Sequence, residues 1–229
     1  MTYVVIDLVI VAILLISAWR GASKGLILSI AGLLAIIIAF YSARYIANNY
    51  SGKFTDVLEP FIGGIVDETA TKELRDKEVT EESENPEIFE SAKNILISLG
   101  FEEQAAEAIA RKALIGITGL GEDFKNAIAN KFMETLAYLF TFAISFLLIS
   151  IVFAVILNLV NVVFNMPGLH ILNSVGGGIL GLMYGVMLVF VIAWLVRFLG
   201  FVLPERMVEH TRVLRWFMTY NPLIKLMGF

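Results

Sequence analysis

The side chains of this sequence that could do chemistry are few, and most sit inside apolar stretches. Asp7 lies within the run from Tyr3 to Trp19, where an ionisable group in lipid is expensive and often functional. It could hold a proton or a cation, pair with a basic residue, or act as an acid near a helix start that reaches water and complements the dipole. Asn158, Asn161 and Asn165 recur at spacings that put them on one helix face. Turned toward another helix they would hydrogen-bond across a bundle at about 0.6 kcal/mol each; turned toward a cavity they would line a polar path. Thr141 and Ser145, four apart, can bond back to their own helix. His170 and His210 are far apart and lack carboxylates at ligand spacing, so no metal site is expected. No GxSxG elbow, HExxH, Walker A loop or dinucleotide fingerprint occurs. Neither an enzyme nor a cofactor is therefore expected.

Composition explains what must hold these groups. The chain has 229 residues, of which 58% are hydrophobic and 17% charged, with a mean hydropathy of +0.80. Those values lie well beyond an ordinary soluble domain and point to a membrane protein. Four segments are long and apolar enough to cross a bilayer, which takes roughly 20 helical residues: Tyr3 to Trp19, Gly25 to Ile46, Leu136 to Val163 and Val175 to Leu203. The first has no basic region before it and a second span follows at once, so it is expected to stay as a helix rather than be cleaved as a signal peptide. Short connections, "RGASKG" from Arg20 to Gly25 and "NMPGLHILN" from Asn165 to Asn173, predict two antiparallel hairpins packed together. There is no cysteine, which excludes disulfides and thiolate chemistry.

Glycine at 177, 181 and 185 recurs every fourth residue inside the fourth span. In lipid, helices adhere by close packing, and small residues four apart let two backbones approach. Gly177, Gly181 and Gly185 are therefore expected to form a helix-packing face. Gly21 and Gly25 at the first turn, with Gly32 further on, are read as the same device. Such a face could also permit sliding or self-association, so a homo-oligomer is one expected state.

Between the hairpins the sequence changes character. From Asp67 to Glu90, ten acidic residues face only Lys72, Arg75 and Lys77, and "EVTEESENPE" lacks the apolar content of a core. A solvated linker is expected there. Beyond Pro86, Ile88, Phe89, Ala92, Ile95, Leu96 and Leu99 recur at helical spacing until Gly100, and Ala105, Ala108, Ile109, Lys112 and Ala113 continue until the glycines at 116, 119 and 121. These predict amphipathic helices on the membrane surface or the bundle ends. Phe124 to Met133 is expected to lead straight into the third span. The tail mixes Arg206, Arg212, Arg215 and Lys225 with Trp216, Phe217, Met218 and Tyr220, the composition of an interfacial helix near the lipid headgroups. With a sequence pI near 5.3 and no contiguous basic patch, nucleic-acid binding is not expected.

Asp7, "RGASKG", Gly32 and "NSVGGGILGLMYG", in which Asn173 is followed by glycines at +4, +8 and +12, together resemble the CvpA family of bacterial membrane proteins, named for colicin V production. The resemblance covers about 1 to 47 and 136 to 200. It implies a four-span protein of the bacterial cytoplasmic membrane associated with toxin production or export. Some related proteins join a similar bundle to an extracytoplasmic serine protease domain, which is not found here.

The expected fold is thus an all-α integral membrane protein: four transmembrane helices as two hairpins, with an amphipathic helical insert between them. The segments are 1–47, 48–134, 135–203 and an interfacial tail, 204–229. The first span has Arg20 and Lys24 after it and no basic residue before it, which places the first turn in the cytoplasm and the insert outside; the basic tail argues the other way. Expected partners are the lipid bilayer and an envelope or secretion protein. A non-enzymatic accessory or scaffold is the leading expectation, followed by a small channel or transporter and by a lipid-acting membrane enzyme. Asp7, Asn158, Asn161 and Asn173 are the candidate functional polar residues.

Overall fold

The computed structural model describes residues 2–76, 85–115, 122–161, 170–198, 208 and 210–224. Every regular element among them is an α-helix: α1 (Thr2–Lys24), α2 (Leu26–Tyr50), α3 (Gly52–Asp76), α4 (Asn85–Ser98), α5 (Glu103–Ala113), α6 (Glu122–Asn161), α7 (His170–Arg197) and α8 (Val213–Thr219). Four helical segments are long and apolar enough to cross a membrane: Val4–Lys24, Leu26–Tyr50, Asp123–Leu159 and Leu172–Arg197. Their outer faces expose large apolar side chains, among them Leu8 and Leu15 on α1, Leu147 and Val155 on α6, and Ile179 on α7. That is the surface a helix presents to hydrocarbon.

The stretch expected to lead into the third span does so, and the apolar segment runs over Asp123–Leu159 rather than from Leu136. α6 is unbroken over 40 residues, so the Phe124–Met133 stretch and the apolar run after it are one helix about 60 Å long. Two expectations need correction. The acidic segment is not a linker throughout, because α3 continues through Asp76 and α4 already includes Asn85 to Glu90; residues 77–84 lie outside the described residues. α4 and α5 also do not offer their apolar faces to lipid. Ile95, Leu96, Ala106, Ile109 and Ala110 have no exposed surface, since these faces pack on protein. The second turn, from Asn165, and the glycines at 116, 119 and 121 also lie outside the described residues, as does most of 199–209.

The chain forms two compact units. Unit 1 comprises Met1–Ile46, Phe142–Trp194 and Arg206–Leu226; unit 2 comprises Ala47–Thr141, Leu195–Glu205 and Met227–Phe229. In unit 1, Phe142 lies at the centre of an aromatic cluster, edge-on to Phe40 and Trp194 and stacked on Phe146, with centroids 5.2 to 5.9 Å apart. Asn221 ties the tail to α7 by donating to the Phe190 carbonyl at 2.8 Å, and Phe217 packs edge-on against the Phe190 ring.

Unit 2 is built on α3, α4, α5 and the start of α6. Val66 and Ala70 of α3, Ile88 and Ala92 of α4, and Phe124 and Ile128 of α6 supply its core together with the buried α5 face. Phe101, just past the positive-φ Gly100, packs edge-on to Phe132 and Phe198. Beside it Arg197 Nε donates to Glu102 Oε2 at 3.0 Å, with the two side chains only 10% and 13% exposed. The Arg197 guanidinium also donates to Gln104, and the Glu102 amide donates to the Arg197 carbonyl at 3.4 Å. On the surface, Lys93 lies 2.8 Å from Glu90 and 3.7 Å from Glu103. The hydrogen bond to Glu90 holds its pKa above the usual lysine value. Its stabilising contribution is therefore present at neutral pH and lost as pH rises through that raised value.

Candidate functional site

The local reason for the first turn is Gly25. α1 ends with the Gly25 amide donating to the Gly21 carbonyl at 2.9 Å, and Gly25 takes φ +83°, a left-handed conformation that side chains resist. α2 starts at the next residue. Its first amide, Leu26 N, would have no partner within its helix; it donates instead to Asn173 Oδ1 of α7 at 2.7 Å. The Asn173 carboxamide lies so close to Gly25 that a Cβ there would come within 2.8 Å of its Cγ. Asn173 thus closes the break between α1 and α2.

From this point α1 and α7 run in backbone contact. A Cβ added at Gly21 would meet the Gly177 carbonyl and stand 2.7 Å from Gly181 Cα; one at Gly177 would meet the Gly21 carbonyl and stand 2.9 Å from Gly25 Cα. At Gly181 it would meet the Ser17 carbonyl, and at Gly185 it would stand 2.8 Å from Ser17 Cβ. Ser17, together with Ala18 and Ala22 opposite Gly178, completes the small-residue seam on α1, which glycine counting overlooks. Gly32 takes no part: nothing lies within 4 Å of where its Cβ would be.

Asp7 has a defined use that is none of those weighed from sequence. Its carboxylate accepts from the Arg212 amide at 2.8 Å through Oδ2, and from the Val213 and Leu214 amides at 3.1 and 3.2 Å through Oδ1. These are the orphan amides at the start of α8, so Asp7 caps the tail helix rather than its own. Asn158 Oδ1 accepts from Lys24 Nζ at 3.3 Å. Asn161 is the last residue of α6, and the described residues leave its side chain aside. His170 opens α7 and His210 stands in the tail.

Beside the seam, residues of α1, α2, α6 and α7 line a half-open cavity of about 370 Å³, at the low end of the roughly 300–1,000 Å³ of ligand sites. Gly32 and Leu188 both open onto it. Its polar lining is Arg20 and Lys24, one turn apart on α1, with Ser17, Ser29, Ser150 and Tyr184. Ser29 Oγ donates to the Gly21 carbonyl at 3.1 Å, whereas the Ser150 hydroxyl is buried without a hydrogen-bond partner. Such a cavity can receive a small or amphiphilic ligand.

No curated protein and no solved structure was found to match the chain. A family model described as colicin V production protein matches residues 6–72 and 106–222, which include Asp7, the α1–α7 seam, Asn158 and Asn173 and leave out α4 with Glu102. With four helices long and apolar enough to cross a membrane, and with both the capping aspartate and the seam inside a match over most of its length, the chain belongs to the colicin V production protein family.

Proposed function

We propose that the chain is a non-enzymatic accessory of the bacterial cytoplasmic membrane, a scaffold that supports production or export of a colicin V-type toxin. Family membership supplies the toxin context. The observation that carries the scaffold reading is the fate of the polar groups within the spans. Asp7 is engaged by three amides of the tail, Asn173 by the start of α2, and Asn158 by Lys24. A relay needs groups that exchange partners, whereas carboxylates and amides tied to backbone ends are fasteners. On this reading the four spans pair as two hairpins along the glycine seam, the segment 48–134 faces outward, and partners are the lipid bilayer, an envelope or secretion protein, and a second copy of the chain. Single cysteines at Ser83 and Ser23 test the orientation: an impermeant thiol reagent on intact cells labels position 83 alone, and labelling of position 23 alone overturns it.

A small channel or transporter is the second reading, favoured by the cavity at the meeting of α1, α2, α6 and α7. The scaffold reading is tested by a photoreactive residue placed singly at the exposed positions Leu147, Val155 and Ile179 in toxin-producing cells. The expected result is a discrete adduct with a component of the secretion machinery from at least one position. Adducts with lipid alone at every position, from protein that still supports toxin release, would reject it.

A further inference from the structure

We propose that the cavity of unit 1 binds the phosphate-bearing head of an anionic amphiphile, with its hydrocarbon lying along the apolar wall. The cavity follows one face of α1 from Ile13 to Lys24, about 16 Å at helical rise. Its two cations, Arg20 and Lys24, are confined to one end, while Ile13, Ile36 and Leu188 belong to the other end of the same helices. That is the polarity of a lipid: an ionic head at one end and an apolar body behind it. No carboxylate lines the cavity, and among the described residues no acid is paired with Arg20. Lys24 has a neutral amide, Asn158, as its partner. Two cations one turn apart repel each other, and a cation in an apolar setting seeks an anion. A phosphate accepts charge-assisted hydrogen bonds from both guanidinium and ammonium groups at once.

A second observation concerns what lies behind the head. The Ser150 hydroxyl, on the α6 side of the cavity and about 12 Å along that helix from Asn158, the partner of Lys24, is buried with no hydrogen-bond partner, although hydroxyls in that position normally have one. An ester oxygen between the phosphate and the hydrocarbon of an amphiphile would supply it, whereas a phosphate on Arg20 and Lys24 would not reach it. Gly32 shows the apolar side of the chamber to be roomy, since nothing stands within 4 Å of its missing side chain. The inference does not depend on the scaffold reading, because a scaffold and a transporter could each hold such a ligand.

The phosphate could come from a membrane phospholipid or from free phosphate in solution, and the experiment separates them. Full-length protein is purified, stripped of lipid, and offered phosphatidylglycerol, phosphatidylcholine or inorganic phosphate in mixed micelles, with bound species counted by native mass spectrometry. The expected result is retention of phosphatidylglycerol at least tenfold over phosphatidylcholine. The double variant Arg20→Gln/Lys24→Gln falls to the phosphatidylcholine level, and Arg20→Lys restores part of the retention. Arg111→Gln, at an exposed α5 cation outside the cavity, leaves it unchanged. Gly32→Leu starts in open space, since nothing lies within 4 Å of its Cβ, and leaves both cations in the sequence; it should lower lipid retention several-fold while spectrum and elution remain those of the parent, so the site stays testable should the double variant fail to fold. Retention of inorganic phosphate lost with Arg20 and Lys24, but with no lipid preference, would support the anion site and assign it to a soluble ligand. Equal binding of both lipids without phosphate binding, or an equal fall in Arg111→Gln, would overturn the proposal.

Discussion

A methyl group added at Gly177 would land on the backbone of Gly21 and Gly25, whereas one added at Gly32 would land in open space. Neither backbone segment can move aside as a flexible side chain can. Gly177→Ala should therefore destabilise the protein by about 1–3 kcal/mol, the usual cost of overpacking. Gly32→Ala should be neutral or stabilising by up to about 1 kcal/mol, since alanine is the better helix former. Thermal unfolding in detergent compares them, and equal losses would remove Gly177 from the seam. The period of four on α7 was legible because it lies within one helix; Ser17 and Ala18 were not, because their part depends on how α1 is turned against α7. Asp7 was legible as an anomaly, but its partners lie 205 to 207 residues away and are backbone amides, which no side-chain pattern announces. Asp7→Ala leaves those amides without their acceptor. A capping loss of about 0.5–2 kcal/mol is expected, read in limited proteolysis as earlier cleavage of the tail; unchanged cleavage would deny Asp7 that role.

Among the elements, the four spans were plain in the sequence because twenty apolar residues in a row outweigh any local signal. α3 was hidden: Pro60 and the pair Gly63–Gly64 punctuate it, and its second half is acidic enough to resemble a solvated linker. α4 and α5 showed their periodicity clearly, yet periodicity reveals only that a face is apolar and leaves open whether protein or lipid covers it. Here protein covers it, so their amides should resist hydrogen exchange in a micelle free of anionic lipid. Protection that develops only on vesicles would return them to the membrane surface. The Arg197–Glu102 pair went unseen for a related reason: the two residues are 95 apart in sequence, and no local pattern joins them. Removing one member strands the other in a nearly buried setting. Arg197→Met should cost about 3–5 kcal/mol, with much of the loss recovered in Arg197→Met/Glu102→Met. Thermal unfolding of the single and double variants checks this, and additive losses would mean that the two residues act independently.

For the molecule as a whole, composition foretold a membrane protein and the pattern of glycines and Asn173 foretold the family, while the cavity could not be foreseen. A cavity exists only where several helix faces converge, and this one draws small numbers of residues from four helices, none conspicuous alone. Its neighbour, the seam, fixes α1 against α7 through backbone contacts too close to allow much play. Unit 1 is thus an assembly in which Asp7, Asn158 and Asn173 fasten helices and act as anchors rather than as steps of a path. Flux is the most direct test: purified protein in sealed liposomes, followed with ion- and proton-sensitive dyes under imposed gradients, with Asp7→Asn and Asn161→Leu measured beside the parent. The account predicts vesicles as tight as protein-free controls for all three proteins. Flux through the parent that falls in either variant would contradict it and make those residues part of a conducting path.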